Sequence, residues 1–386
     1  MANHWLGRAK AVAQVSTITV GGTIAIGDTF SVTINGKSVT FTATAATIAN
    51  VVAGLLALLN DTTAPIEHGE LTWTDSSPTL VGTGDAAGVP HTITVSETGA
   101  ASTIAIATTV AATGPNHLDN AANWSDAAVP GGGDDVVFAN SSQSMLYGFD
   151  GSAAILSGLV IEETFTGSIG LPAINALGYR EYRTQTPNWS YSLSTVRAVN
   201  AGEIRLKIDN DSGAGTLVQI SGTVRVLAST TGSIYDIQNG TLIIGEPTAE
   251  DITVGSLKIS SAASVIIDKN VACTAITNVG SLDCQSSTAP TTVTNRGGTA
   301  TFAKNPTTTY AYSGTVVLNG DNTVTTLVVG PDTADGQPGE VDLSEDMRTF
   351  GITNITLNGR GSISDPNQRI TGTHTLTINA SKIAGS

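Results

Sequence analysis

The sequence predicts a mainly β protein: a small N-terminal α+β domain followed by an irregular parallel β-helix, or β-solenoid. Three observations point there. Charged residues make up 13% and aromatics 5%, while small and β-branched residues abound; β-branched side chains suit pleated surfaces and suit helices poorly. Hydrophobic residues reach 40%, so the low charge does not signal disorder. Beyond residue 190 a short theme recurs, a Gly or small residue, then Ser or Thr, then a brief apolar run. At 386 residues the chain exceeds one ordinary core, so two domains or a repeat array are expected.

Residues 1–15, MANHWLGRAKAVAQV, carry Trp5, Arg8 and Lys10 ahead of the first expected strand. They read as an anchoring arm that orders on a partner, with a frayed terminus as the alternative. The segment lacks the apolar core of a secretory signal, so synthesis in a cytoplasm without export by the usual route is expected. Residues 16–113 read as one module. In FSVTINGKSVTFT, alternating apolar positions flank Asn35-Gly36, the preferred two-residue hairpin turn, and pair Val32 with Val39 and Phe30 with Phe41. Thr47 then reads as an N-cap. Ile48, Val51, Val52, Leu55, Leu56 and Leu59 follow at one-stripe helical spacing, expected to lie on the hairpin's apolar face. Further strands are expected at 69–74, 91–96 and 102–110. That apolar run is about half the roughly 20 residues a membrane helix needs.

Residues 114–135 hold Gly114-Pro115, Trp124, Pro130 and Gly131 to Gly133, and read as a domain junction and solenoid cap with Trp124 plugging the first rung. The series GDTFSVTINGKSVTFTATAATIANVVAGLLALLN, AGVPHTITVSET, GPNHLDNAANWSDAAVPGGGDDVVF, MLYGF, IGLP and GYREYR resembles uncharacterised virion structural proteins of tailed phages and prophages. It covers roughly residues 1 to 190, and none of its motifs is catalytic. The resemblance implies a virion component made in a host cytoplasm: a capsid decoration protein or a head or tail fibre. It also implies a homotrimer that meets major capsid or tail proteins.

The solenoid body is expected over 136–386. Its theme appears as GTLVQI at 215, GTVRVL at 222, GTLIIG at 240, GSLKIS at 255, GSLDCQ at 280, GTATFA at 298 and GTVVLN at 314, then ITNITLNG and HTLTINA. Spacings of 7 to 25 residues exclude a strict period and suit rungs with unequal turns. Continuous apolar runs such as 242–244 and 265–267 are expected to be buried on both faces or to lie at an oligomer interface. A β-sandwich is the alternative.

A net charge of −15 with thinly spread Lys and Arg argues against nucleic acid and against an anionic membrane. Cys273 and Cys284 read as two small buried hydrophobes. Neither a calcium-loop pattern nor zinc spacing around the five histidines is present, so no metal and no cofactor are expected. The acidic groups Asp126/Asp134/Asp135, Asp209/Asp211, Glu246/Glu250/Asp251 and Asp342/Glu345/Asp346 fall on turn-like stretches, with a structural cation at the first of them as an alternative to the cap. Asp209-Asn210-Asp211 reads as a turn. A tailspike-like protein that binds or cuts host-surface glycan with paired carboxylates is the alternative to a non-enzymatic structural role. The stretch GLPAINALGYREYRTQTPNWSYSL gathers Tyr179, Arg180, Tyr182, Arg183, Trp189 and Tyr191. It reads as a docking surface, since such residues dominate interface hot spots, or as a long loop covering one end of the solenoid, where Tyr and Trp fill an open core. With Trp5 and Arg8 these residues form the candidate interface.

Overall fold

The computed structural model describes residues 2–150, 154–208, 215–229, 232–246, 251–332 and 336–379. From residue 135 the chain winds into a parallel β-solenoid of about 11 turns. One flank is a continuous parallel ladder. Residues 135–138 pair with 158–161, and 193–196, 216–219, 234–237, 256–259, 275–278, 292–295, 308–311, 326–329, 354–358 and 375–379 follow rung by rung. A second flank stacks 204–206, 223–226, 241–244, 264–267, 281–284, 299–302, 315–317, 340–342 and 362–364. A third side is stranded intermittently, as where Ala154–Leu156 pairs with Trp189–Tyr191. The offset between partners ranges from 35 residues, Leu159 to Ser194, down to 16, Thr292 to Thr308. Unequal turns, not unequal strands, blur the period. A sandwich is excluded, because among the described residues every strand-to-strand ladder in the body is parallel.

The core is a set of columns running through the rungs. Leu217, Tyr235, Leu257, Ile276, Val293 and Leu327 occupy one register position and are all buried. Residues one position away face solvent, which corrects the two-sided reading of the apolar runs: Val265 and Ile267 are buried, whereas Ile266 between them is 40% exposed. Alternation is kept in space even where the outward residue is apolar.

The recurrent glycine sits at the corner between the two continuous flanks. Gly280, Gly298 and Gly314 lie one above another. Gly298 has φ +58, and a Cβ there would lie 1.8 Å from the Gly280 carbonyl oxygen. Only glycine takes both that φ and that approach. Buried amides pin the same corner: Asn278 donates from Nδ2 to Asn295 Oδ1 (2.7 Å), and Asn295 donates to the Ser313 carbonyl (2.7 Å).

The N-terminal module has two antiparallel sheets. Leu71–Ser76, Thr79–Gly84, Val15–Gly22 and Ser102–Val110 form one; Lys37–Thr42, Thr29–Ile34 and Ile93–Glu97 form the other. The hairpin pairs Val32 with Val39 and Phe30 with Phe41, and Asn35 and Gly36 both have positive φ, as this tight turn demands. The helix α1 (Ile48–Leu59) buries Val51, Val52, Leu55 and Leu59, and Thr47 accepts a hydrogen bond from the Asn50 amide. Two strands are displaced from expectation. The one placed at 69–74 begins at Leu71, behind the 3-10 turn Ile66–Glu70, and the one at 91–96 begins at Ile93.

The N-terminal arm expected over 1–15, ordering on a partner or frayed, is instead ordered against the chain itself. Ala2–His4 pairs in parallel with Asp135–Phe138 as an outermost rung, and Trp5 is fully buried. An apolar column open at its end draws in whatever large apolar side chain the chain offers, and Trp5 is in reach. Residues 2–5 therefore belong to the solenoid that winds on from residue 135. The module is looped out between its first two strands through a neck where Val12 meets Thr113.

Candidate functional site

At the module–solenoid junction lies a groove of about 520 Å³, lined by Val89, His91, Leu146, Leu171, Leu177 and Arg183 among others. The solenoid side is the loop after Ile169. Residues 173–181 fold back on themselves: the Glu181 amide donates to the Ala173 carbonyl (2.8 Å), the Asn175 amide to Tyr179 (2.9 Å), and Gly178 turns with φ +86. This aims Tyr179, Tyr182 and Arg183 at the module and leaves Ile174, Leu177 and Arg180 exposed.

On the module side, the 3-10 turn ends at Glu70 and presents its carboxylate to that loop. Arg183 Nη2 lies 2.7 Å from Glu70 Oε2, its Nη1 lies 3.1 Å from Glu181 Oε1, and its Nε donates to the Pro90 carbonyl (2.7 Å). Its guanidinium stands 4.3 Å from the Tyr182 ring centroid, and the Tyr179 hydroxyl donates to Glu70. His91 Nδ1 is 3.2 Å from Glu70 Oε2, and its side chain is only 1% exposed. Burial by itself raises the Glu70 carboxyl; contact with His91, the Tyr179 hydroxyl and the Arg183 charge outweigh it and hold the group at about 2. Burial, then the proximity of Glu70, pushes the Tyr179 phenol far above its ordinary value.

Of the expected interface residues, then, Tyr179, Tyr182 and Arg183 join the chain to itself, Arg180 and Arg8 are exposed, and Trp5, Trp189 and Tyr191 are core residues. The last three are corrections. Trp189–Tyr191 is a strand whose two aromatics point inward, at 2% and 0% exposure, so they are removed from any docking surface. Trp124 lies buried between Trp5, 5.1 Å away edge-on, and Trp189, 5.8 Å away, with its Nε1 donating to the Leu118 carbonyl (2.8 Å). Beside it Asn123 ties the junction: its Oδ1 accepts from the Ala9 amide (2.7 Å), and its Nδ2 donates to the Gly114 and His117 carbonyls (2.8 Å each).

A second charged group was missed from sequence. Arg205 Nη1 lies 2.6 Å from Glu246 Oε1 and Nη2 3.5 Å from Glu203 Oε2; Arg225 contacts both carboxylates. Arg205 and Arg225 are register partners on adjacent rungs, so aligning IRLKI with VRVLA is the signal that finds them. For Glu70 and His91 the sequence holds none, since each lies about 90 or more residues from Arg183.

The acidic groups expected on turns are described only in part. Asp126 and Asp135 are exposed, and Asp134 accepts from the Gly131 amide (2.8 Å). Asp346 pairs with Arg348, whose hydrogen bonds hold it far below the usual carboxylate range. Asp209, Asp211 and Glu250 lie outside the described residues. Among the described residues no group of three or more His, Cys, Asp or Glu is placed to hold a metal, and no helix is long and apolar enough to cross a membrane. Cys273 and Cys284 are free and buried, and burial pushes the Cys284 thiol up to about 11. No family model matches the chain, and no curated protein is significantly similar to it.

Proposed function

We propose that this chain is a non-enzymatic structural component of a bacteriophage particle, a decoration protein or a head or tail fibre. One observation carries the structural part. The buried carboxylates of Glu181 and Glu246 and the nearly buried one of Glu70 are each bound to an arginine that ties one part of the chain to another. The Glu70 carboxyl, held ionised by these partners, is unsuited to act as a general acid, which needs a raised pKa. The placement in a virion rests on the resemblance over residues 1 to 190. The docking surface shifts from the aromatics to what stays exposed on the same loop: Ile174 and Leu177, at 55% and 50%, with Arg180 beside the groove.

Purified particles, stripped of loosely held protein, should carry the chain in fixed stoichiometry by quantitative mass spectrometry, and a Leu177→Glu variant should lose incorporation while remaining folded. Particles lacking the chain would sink the reading. The glycan-binding alternative has one observation in its favour. On the outer flank Tyr310 and Tyr312 stack with centroids 5.6 Å apart, and Arg296 stands 5.0 Å from the Tyr312 ring. Retention on immobilised host polysaccharide that Tyr310→Ala abolishes would favour it, and release of reducing ends would make it an enzyme.

A further inference from the structure

We infer that the last described rung is an edge for end-to-end pairing with a second copy of this chain. The strand Thr375–Asn379 pairs along one edge with 354–358, and among the described residues no strand is in register along the other. Leu376 and Ile378 stand in core columns: Leu376 follows Ile355 and Leu327, and Ile378 follows Leu357 and Val329. Leu327 and Val329 are fully buried, yet Leu376 is 51% and Ile378 60% exposed. At the other end the core is closed by Trp5 and Trp124. The segment ITGTHTLTIN, 370–379, has no Asp, Glu, Lys or Arg, the charges that ordinarily blunt an open edge.

The strand itself specifies the occupant. TLTIN reads almost the same in both directions about Thr377. A two-fold axis there pairs Thr375 with Asn379 of the partner subunit, Leu376 with Ile378 of the partner subunit, and Thr377 with itself. Side chains alternate with period 2, so antiparallel pairing about this centre keeps both apolar rows on the inner face and continues one core into the other. The contact is isologous and closes after two copies. It spans one rung's cross-section, well below a standard interface, so it is weak and concentration-dependent. It uses neither lateral flank nor the junction groove, and stands whether or not the proposed virion role does.

The test is light scattering on the full chain from about 1 to about 100 μM, a range suited to a weak contact. Molar mass should double with concentration, and Leu376→Lys/Ile378→Lys should abolish the doubling with thermal unfolding little changed. Facing Cα atoms of an antiparallel pair lie about 4.5–5.5 Å apart, within disulfide reach. Thr377→Cys should therefore cross-link two chains on oxidation, and Thr375→Cys should not. A mass that the double lysine variant leaves unchanged, or equal cross-linking at 375 and 377, overturns the inference. So does doubling that appears only when residues 380–386 are deleted, since those residues would then be the cover.

Discussion

Glu70 and Arg183 show how a single pair decides whether two bodies act as one. Arg183 is 9% exposed and Glu70 11%, so removing the cation strands a nearly buried carboxylate. Arg183→Ala should cost about 3 kcal/mol, read from denaturant unfolding and from faster protease cleavage at the Val12/Thr113 neck. Tyr179→Phe removes one hydrogen bond and should cost only about 1 kcal/mol. The pH dependence has a definite sign. The folded Glu70 carboxyl sits at about 2, below its ordinary 4.5, so its contribution is complete above about 4.5 and is lost as pH falls through about 2. Amide exchange at the junction should accelerate over that window before the solenoid opens.

Within the elements, the corner glycines and the columns they separate govern the body. Gly298 meets the Gly280 carbonyl and has positive φ. Gly298→Ala should lower stability by at least about 2 kcal/mol. At Gly36, in the module's hairpin, φ is also positive but a Cβ meets nothing within 4 Å, so Gly36→Ala should cost about 1 kcal/mol. Thermal unfolding of the two variants separates crowding from conformation. Trp124→Ala empties the end of the core and should cost about 3–5 kcal/mol in denaturant unfolding.

Across the whole molecule, the decisive feature is that the module interrupts the solenoid and does not precede it. Val12 and Thr113 are bridged, so replacing 13–112 with two glycines should leave a cooperatively unfolding β-solenoid by circular dichroism. Deleting 1–113 removes the outermost strand and Trp5, and should instead give an aggregating protein by light scattering. An identical outcome for the two deletions would refute the insertion.

The hairpin, the helix stripe and the Gly-Thr strand starts could all be read from the chain because each rests on neighbours a few residues apart: turn chemistry at Asn35-Gly36, period 3.6 over Ile48–Leu59, period 2 within each rung. The mainly β, solenoidal class follows from those local signals. What the sequence alone could not place were contacts between residues far apart in it. Trp5 and Trp189 look like interface anchors in one dimension, and only winding the rungs puts them beside Trp124. The aromatic loop looks like a surface for others until Glu70 and Pro90, about a hundred residues earlier, come to meet it. Sequence period set the strands; closure of the core columns at their end, and the pairing of buried charges across the junction, were decided in three dimensions, because burial belongs to the assembled shape and not to any stretch of chain.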